Sequence, residues 1–114
     1  MVSREVRQTI EKAVKYPYIN KIGVFGSYAR DEQSDESDLD ILIDYDNSSD
    51  DFLDNLGDFM EDMELVFSGK IDYVTVPGLM GSSGEKFKRN VLRDVKWIYS
   101  AARDKAAQPT GANT

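Results

Sequence analysis

Residues 22–45 constrain the fold more than any other stretch, because they predict two strands joined by a tight turn and an acidic loop. The first strand is predicted over residues 19–25; its last part, 22–25, is apolar and includes two β-branched residues, it ends at Gly26, and residues 27–30 can begin a helix. Backbone N–H groups at the start of a helix have no intrahelical partner, and a glycine there lets a phosphate approach the chain closely. The turn at Gly26 is therefore a candidate anion site.

A pair of aspartates at the start of the second strand supplies the opposite charge. Residues 39–45 have the pattern of a strand, and residues two apart on a strand face the same way, so Asp38 and Asp40 are predicted side by side. Two carboxylates that close repel each other unless they share a proton or hold a cation between them. A phosphate-binding turn followed by a carboxylate pair is what magnesium-dependent phosphoryl or nucleotidyl transfer requires, because the metal binds the carboxylates and bridges to phosphate oxygens.

A third acid, Asp72, interrupts the apolar run 70–76, which predicts a third strand. An aspartate among apolar neighbours is costly to bury without a partner. Two interpretations stay open. Asp72 lies beside Asp38 and Asp40 as a third metal or base carboxylate, or it lies at the surface of an edge strand.

Composition limits the chemistry that this chain can perform. Its 114 residues, 40% of them hydrophobic, predict one domain over residues 1–102 and a loose, polar tail over 103–114. Cysteine and histidine are both absent, which excludes disulfides, thiolate nucleophiles, Ser-His-Asp hydrolysis and imidazole metal sites. Oxygen ligands remain, and they favour hard cations such as magnesium or manganese.

The charge is unevenly distributed along the chain. Residues 31–64 contain 15 acids and no lysine or arginine, whereas the two ends are basic. This predicts either a solvated acidic face or a docking face for a basic protein, and it disfavours stable binding of nucleic acid. The sequence has no bilayer-length apolar run and no charged-then-apolar leader, so we expect a cytoplasmic protein that does not enter a membrane.

Helical periodicity predicts three longer helices around the strands. The first has Ser3 as its N-cap and ends before Pro17; the second follows a cap at Ser48 or Ser49 and closes at residues 68–69. The phenylalanines and methionines of the second are assigned to core packing rather than to a ligand box. After a loop at 77–84, a capping box of Ser82 and Glu85 begins a last helix that runs on to Ile98 and Tyr99. The basic surface of that helix could balance the acidic middle, neutralise nucleotide phosphates or contact a partner.

With these motifs placed, the sequence resembles the DNA polymerase β nucleotidyltransferase superfamily. The signature is Gly26-Ser27, ten intervening residues and then Asp38-Leu39-Asp40. Residues 26–30 and 37–40 narrow the resemblance to the minimal nucleotidyltransferases, MNT proteins, and Asp72-Tyr73 matches the family's third carboxylate. The resemblance covers residues 3–100 and implies an α/β (α+β) fold, with a small mixed sheet of three or more strands and about four flanking helices.

The resemblance also implies roles for individual residues. Gly26 and Ser27 would hold the outer phosphates of ATP, with weaker support for Arg30 on a phosphate. Asp38 and Asp40 would bind two magnesium ions, and Asp72 would complete the metal site and help to deprotonate the attacking hydroxyl. One departure is visible, because Asp31-Glu32 stands where many relatives have glycine and then glutamate, which leaves the loop conformation open.

The function implied by the resemblance is that of the MNT antitoxins in HEPN/MNT toxin–antitoxin pairs. In those pairs the small enzyme transfers AMP from ATP to a tyrosine of its HEPN ribonuclease toxin, and we expect a hetero-oligomer with such a toxin here. The short chain leaves no room for an acceptor-gripping domain, so the acceptor is expected from outside. Two alternatives are an antitoxin that acts by binding alone, and the catalytic subunit of a two-subunit enzyme acting on a small molecule or an RNA end.

Overall fold

Helices and strands alternate along the part of the chain that the computed structural model describes, residues 3–48, 50–82 and 84–101. The elements are α1 (Arg4–Glu11), a 3₁₀ helix (Lys12–Lys15), β1 (Ile19–Phe25), α2 (Gly26–Ala29), β2 (Leu39–Tyr45), α3 (Phe52–Phe67), β3 (Ile71–Thr75), α4 (Val76–Ser82), α5 (Glu85–Asp94) and β4 (Lys96–Ser100). The predicted α/β class is confirmed, and β1 and β2 have the predicted bounds. The predicted tail, residues 103–114, lies outside the described residues. No helix of the described part is long and apolar enough to cross a membrane.

The four strands form one mixed sheet in the order β3-β2-β1-β4. Strand β1 is antiparallel to β2 and to β4, whereas β2 and β3 are parallel. The end of β1 therefore meets the beginnings of β2 and β3 at one edge of the sheet, and Phe25 lies opposite Asp40. This topology brings together the residues that sequence analysis had singled out.

The two faces of the sheet are covered by different helices. Leu39, Ile41 and Ile43 point to one face and pack in a core with side chains of α1 and α3, namely Val6, Ile10, Phe59 and Met63. Leu42 points to the other face and packs with Leu79 of α4 and Val91 of α5. Because side chains alternate along a strand, Asp40 projects on the α4–α5 face, outside the main core.

The first two longer helices largely follow their predicted patterns. Ser3 is the N-cap of α1, and its Oγ accepts a hydrogen bond of 3.3 Å from the Val6 N–H. Helix α3 ends where predicted, with left-handed φ angles of 55° at Ser68 and 79° at Gly69. The core assignment of its apolar side holds for Phe59 and Met63, which are buried, whereas Leu53 and Val66 are exposed.

The predicted cap of α3 is wrong at Ser48. Asp51 is the N-cap residue, without a side-chain hydrogen bond, and the Ser48 N–H instead donates to Asp46 Oδ1 in a local turn. Ser49, the other predicted cap, lies outside the described residues. The aspartates of the turn compete with the serine for the same local hydrogen bonds.

The C-terminal third differs most from prediction. The predicted loop at 77–84 contains α4, which Thr75 caps by accepting a hydrogen bond of 3.1 Å from the Gly78 N–H, and proline is tolerated in a first helical turn. The predicted capping box of Ser82 and Glu85 is wrong, because Gly84 is the N-cap of α5. The predicted helix through Ile98 and Tyr99 is also wrong.

The segment predicted as one last helix instead forms α5 and β4, because its second half pairs with the side of β1 that β2 does not occupy. Helix α5 ends at Asp94, Val95 is extended, and Lys96–Ser100 pairs with β1. The segment is rich in β-branched and aromatic residues, which favour a strand. The Trp97 ring lies over Gly23 of β1, where a Cβ would approach its Cε3 to 3.0 Å. The absence of a side chain at Gly23 thus makes room for the added strand.

Candidate active site

The turn at Gly26 has the backbone of an anion-binding site. Gly26 has a φ of 72°, which side chains disfavour, and a Cβ built on it would overlap Asp40 Oδ2. The single-turn helix α2 begins here, and Phe25 at its N-cap offers no side-chain hydrogen bond. The N–H groups that begin α2 lack intrahelical partners and side-chain capping, so they can serve a phosphate. The turn also presses directly against the second aspartate of the pair.

Two of the predicted aspartates are neighbours across the sheet. Asp40 and Asp72 are partners in the parallel register of β2 and β3, so their side chains leave the same face of strands that lie about 4.8 Å apart. Asp38 precedes β2 and lies two residues before Asp40. Asp72 is exposed and β3 is an edge strand, as the surface interpretation of Asp72 predicts. The register places Asp72 beside Asp40, but its role as a third metal or base carboxylate stays a prediction.

The pKa of the Asp40 carboxyl reflects both its burial and the acids beside it. It is raised from 3.8 to about 6, chiefly by burial and then by the negative charges of Asp72 and Asp38, while Arg30 opposes the shift. Among the described residues, none donates a hydrogen bond to that carboxylate. A half-buried carboxylate with like-charged neighbours and no donor is most readily satisfied by a cation.

The donor set fits a hard divalent cation, although the side chains do not form a finished coordination shell. Within residues 3–48, 50–82 and 84–101, no group of three or more acids is arranged so that it could hold a metal ion. Asp38 and Asp72 are exposed, so their side chains are free to rotate toward Asp40. Carboxylate oxygens are the ligands that magnesium takes in proteins. The assignment of the three aspartates as magnesium ligands stays a prediction.

Arg30 lies at the edge of the site and is paired with two acids. Its guanidinium donates to Glu32 Oε1 at 3.0 Å and to Asp94 Oδ2 at 2.6 Å, and these bonds raise the pKa of Arg30. The Asp94 side chain is 9% exposed, and it also accepts a hydrogen bond from Arg93. The pair ties α2 to the end of α5 and leaves Arg30 close enough to lower the pKa of Asp40. A direct contact of Arg30 with a phosphate remains a prediction.

The backbone at Asp31 explains the departure from the family pattern. Asp31 has a left-handed φ of 63°, and the N–H groups of Asp31 and Glu32 donate to the carbonyls of Tyr28 and Ser27 at 3.4 Å and 2.8 Å. These bonds are the Schellman ending of a helix, whose left-handed residue is usually glycine. Aspartate adopts this conformation more readily than most residues, so the loop is kept without the glycine.

Comparison with known proteins decides the family. The model of the polymerase beta nucleotidyltransferase family matches residues 7–104 of the 114-residue chain. The chain belongs to this nucleotidyltransferase family. It is 34% identical over 83 residues to the protein adenylyltransferase MntA of Thermococcus cleftensis, which covers 70% of this chain and 75% of that protein.

Solved structures of the same fold give a consistent result. A toxin–antitoxin crystal structure with AMP-PNP superposes with a TM-score of 0.59 at 20% identity, over 88% of this chain and 77% of that one. A structure of a tri-AMPylated Shewanella oneidensis HEPN toxin in complex with MNT antitoxin superposes with a TM-score of 0.53 at 18% identity, over 88% of this chain and 74% of that one. The resemblance and the fold drawn from the sequence are confirmed.

Sequence reasoning missed one residue at the edge of the nucleotidyltransferase site. Asp94 lies 64 positions from Arg30, its ion-pair partner, so no local pattern relates the two. The basic surface of α5 is partly balanced within its own helix, because Lys88 pairs with Glu85 at 3.2 Å and Arg93 with Asp94 at 3.1 Å.

A cavity of about 250 Å³ lies elsewhere in the nucleotidyltransferase, between α1 and α3. Its lining includes Tyr16, Phe59 and Met63, and it contains none of the six residues predicted for the site. The Tyr16 hydroxyl donates to Asp62 at the rim, and this bond and the neighbouring Lys15 lower the pKa of Asp62. The candidate site is therefore placed at the aspartates and not at the cavity, because the aspartates carry the negative charge that a metal ion requires.

Proposed function

We propose that this nucleotidyltransferase transfers AMP from ATP to a tyrosine hydroxyl of a HEPN toxin, and that the transfer neutralises the toxin. The observation that carries the proposal is the meeting of the Gly26 turn with Asp40 and its register partner Asp72 at one edge of the sheet. In a nucleotidyltransferase, a triphosphate at the turn would bring its α-phosphorus beside these carboxylates.

The names of relatives support the donor and the acceptor. The relative from Thermococcus cleftensis is named a protein adenylyltransferase, and one structure of this fold is described with AMP-PNP. Another is described as a tri-AMPylated HEPN toxin with its MNT antitoxin. We therefore infer that this chain acts in the cytoplasm, as an antitoxin in a hetero-oligomer with its HEPN toxin.

Binding of the triphosphate would rest on the turn. The N–H groups that begin α2, from Gly26 and Ser27 onward, would donate hydrogen bonds to the outer phosphate oxygens. Because Gly26 has no side chain, the phosphates can approach these N–H groups closely. Asp38, Asp40 and Asp72 would hold two magnesium ions. When bound, magnesium supplies Lewis acidity that neutralises charge on the triphosphate. Arg30, fixed by Asp94, would add positive charge at the edge of the site.

The reaction joins the tyrosine oxygen to the α-phosphorus and breaks the bond from that phosphorus to the oxygen bridging to the β-phosphorus. Pyrophosphate leaves with that oxygen and its electron pair. The proton of the tyrosine hydroxyl passes to a carboxylate, and Asp72 is suited to accept it because its side chain is exposed on an edge strand, where an acceptor from outside can reach it. Asp40 is half-buried against Gly26, so its side chain is held in place and is suited to orient the phosphate end of the nucleotide.

The test uses this chain together with a candidate HEPN partner, to be sought as a small helical ribonuclease encoded beside it. The two are co-expressed, and the partner's mass is measured, with addition of one or more AMP units expected for the wild type. The double variant Asp38→Asn, Asp40→Asn should add none. A matched control, Asp54→Asn, Asp58→Asn, changes two exposed acids of α3 and should add as much as the wild type.

Two other results of this experiment would each support a different function. If the double variant still neutralises the partner without modifying it, the chain is an antitoxin that acts by binding alone. If the partner stays unmodified while labelled ATP marks a small molecule or an RNA end, the chain is the catalytic subunit of a different transferase. Either result overturns the proposal.

A further inference from the structure

An aromatic ring of α5 lies exposed beside the Gly26 turn. Phe87, in the first turn of α5, is 44% exposed. Its ring contacts Phe25 edge-to-face, with centroids 6.2 Å apart and planes at 80°. Phe25 is the last residue of β1, precedes Gly26 and lies opposite Asp40 in the sheet. Phe87 therefore contacts the residue that immediately precedes Gly26, where the turn begins.

The rest of α5 confirms that this helix runs along the site. At its first turn, Phe87 contacts Phe25, which precedes α2. At its last residue, Asp94 binds Arg30, which follows α2. Helix α5 thus flanks α2 on both sides of the phosphate-binding turn. A nucleotide whose phosphates lie on that turn would therefore lie beside α5.

We propose that Phe87 is the stacking platform for the nucleobase of the bound nucleoside triphosphate. This inference rests on the proposed nucleotidyl transfer and adds the subsite that holds the base. Phe25 fixes the ring through an edge-to-face contact, which leaves ring surface open to solvent. Stacking suits a purine best, because its two fused rings cover more of the phenyl surface than a pyrimidine does.

A second exposed aromatic is less suited to this role. Trp97 is 45% exposed, but it lies on β4 level with Gly23, farther from the turn than Phe25 is. Its ring already packs over Gly23 and carries Lys21 Nζ at 5.6 Å. The platform is therefore assigned to Phe87 and not to Trp97.

The test measures the contribution of the base to binding separately from that of the phosphates. Binding of ATP and of inorganic tripolyphosphate is measured by titration calorimetry in magnesium, for the wild type, Phe87→Ala, Phe87→Leu and Phe87→Trp. Both the alanine and the leucine variants should lose about 5- to 150-fold in ATP affinity, which is the effect of removing one base–aromatic stack. Their affinity for tripolyphosphate should stay within about twofold of the wild type, and Phe87→Trp should retain ATP affinity.

Leu92→Ala provides the matched control, because Leu92 is an exposed apolar residue of the same helix, 50% exposed. It should change neither affinity. The leucine variant keeps apolar volume against Phe25, so it answers the question even if the alanine variant fails to fold. In the wild type ATP should bind more tightly than CTP, and Phe87→Leu should narrow that difference.

The inference is overturned if Phe87→Leu binds ATP as the wild type does, or if it loses affinity for ATP and tripolyphosphate equally. Failure of nucleotide binding itself is a distinct result, because the wild type would then bind neither ligand in magnesium, and that result also removes the basis of the inference. Failure of the HEPN acceptor alone is read from the unmodified partner and leaves these affinities as predicted.

Discussion

Replacing Asp40 by asparagine should stabilise the metal-free protein. The raised pKa of Asp40, about 6 instead of 3.8, means that keeping this carboxylate ionised costs free energy in the folded state. The shift corresponds to about 3 kcal/mol at ~1.4 kcal/mol per unit, and solvent screening at a half-buried group reduces it to ~1–1.5 kcal/mol. Asparagine removes the charge and keeps the shape. We therefore expect Asp40→Asn to raise the Tm by about 4–8 °C at pH 7.5 in EDTA.

The pH dependence gives this prediction its sign. A carboxyl whose folded pKa is raised holds its proton better in the folded than in the unfolded protein, so stability falls as pH rises from about 4 to 6 and is then constant. The wild type and Asp40→Asn should thus be equally stable near pH 4 and should diverge through that interval. Addition of magnesium should reduce the stability difference between the two proteins, because only the wild type keeps all the carboxylates that would bind the metal and be stabilised by it.

The assay is thermal unfolding followed by circular dichroism at several pH values, with and without magnesium. Asp58→Asn, an exposed acid of α3, makes the same change in net charge and should show no such divergence. A metal-free Asp40→Asn that is less stable than the wild type at pH 7.5 would refute the reasoning. So would a stability difference that does not change between pH 4 and 7.

Three further predictions follow from the backbone and from Arg30. Gly26→Ala should lower stability by about 1–2 kcal/mol and abolish nucleotide binding, because the φ of residue 26 is 72° and the added Cβ would overlap Asp40. Gly57→Ala, in open space on α3, should instead stabilise the protein by up to ~1 kcal/mol. Urea unfolding measures the stability of both variants, and ATP titration measures their nucleotide binding. Ser68→Gly should raise stability by about 0.5–1 kcal/mol because it relieves a left-handed φ of 55°, and Ser68→Ala should not, as comparison of the two unfolding midpoints will show. Arg30→Gln should raise the pKa of Asp40 because Arg30 lowers it, while Arg93→Gln should leave it unchanged; carboxyl NMR titration decides, and an unmoved Asp40 in Arg30→Gln contradicts the account.

The site was predictable from sequence because its parts are local. The Gly26 turn adjoins β1, and Asp38 and Asp40 lie two residues apart at the start of β2, so short-range pattern and strand alternation were enough to propose them. Asp72 was identified as an acid in an apolar run, but only the parallel register of β2 and β3 places it against Asp40. The roles of all six predicted residues remain predictions that the experiments above test.

The remainder depended on tertiary contacts that a sequence pattern does not contain. The segment 95–99 has both helical spacing and strand-forming residues, and the free edge of β1 beside Gly23 decides for the strand. The pairing of Arg30 with Asp94 joins residues far apart in the chain. The position of Phe87 also depends on tertiary contacts, because its ring packs on Phe25 and stays 44% exposed.

Paramagnetic broadening by manganese tests the central claim most directly. In the presence of ATP, trace Mn²⁺ should first broaden the backbone amide signals around Gly26, Asp40 and Asp72, three segments that are far apart in sequence and meet at one sheet edge. The acidic surface of α3, with Asp54, Asp58 and Glu61, is the internal comparison and should be affected only at higher metal concentration. Broadening that begins on α3, or that spares Gly26 and Asp72, would contradict the account.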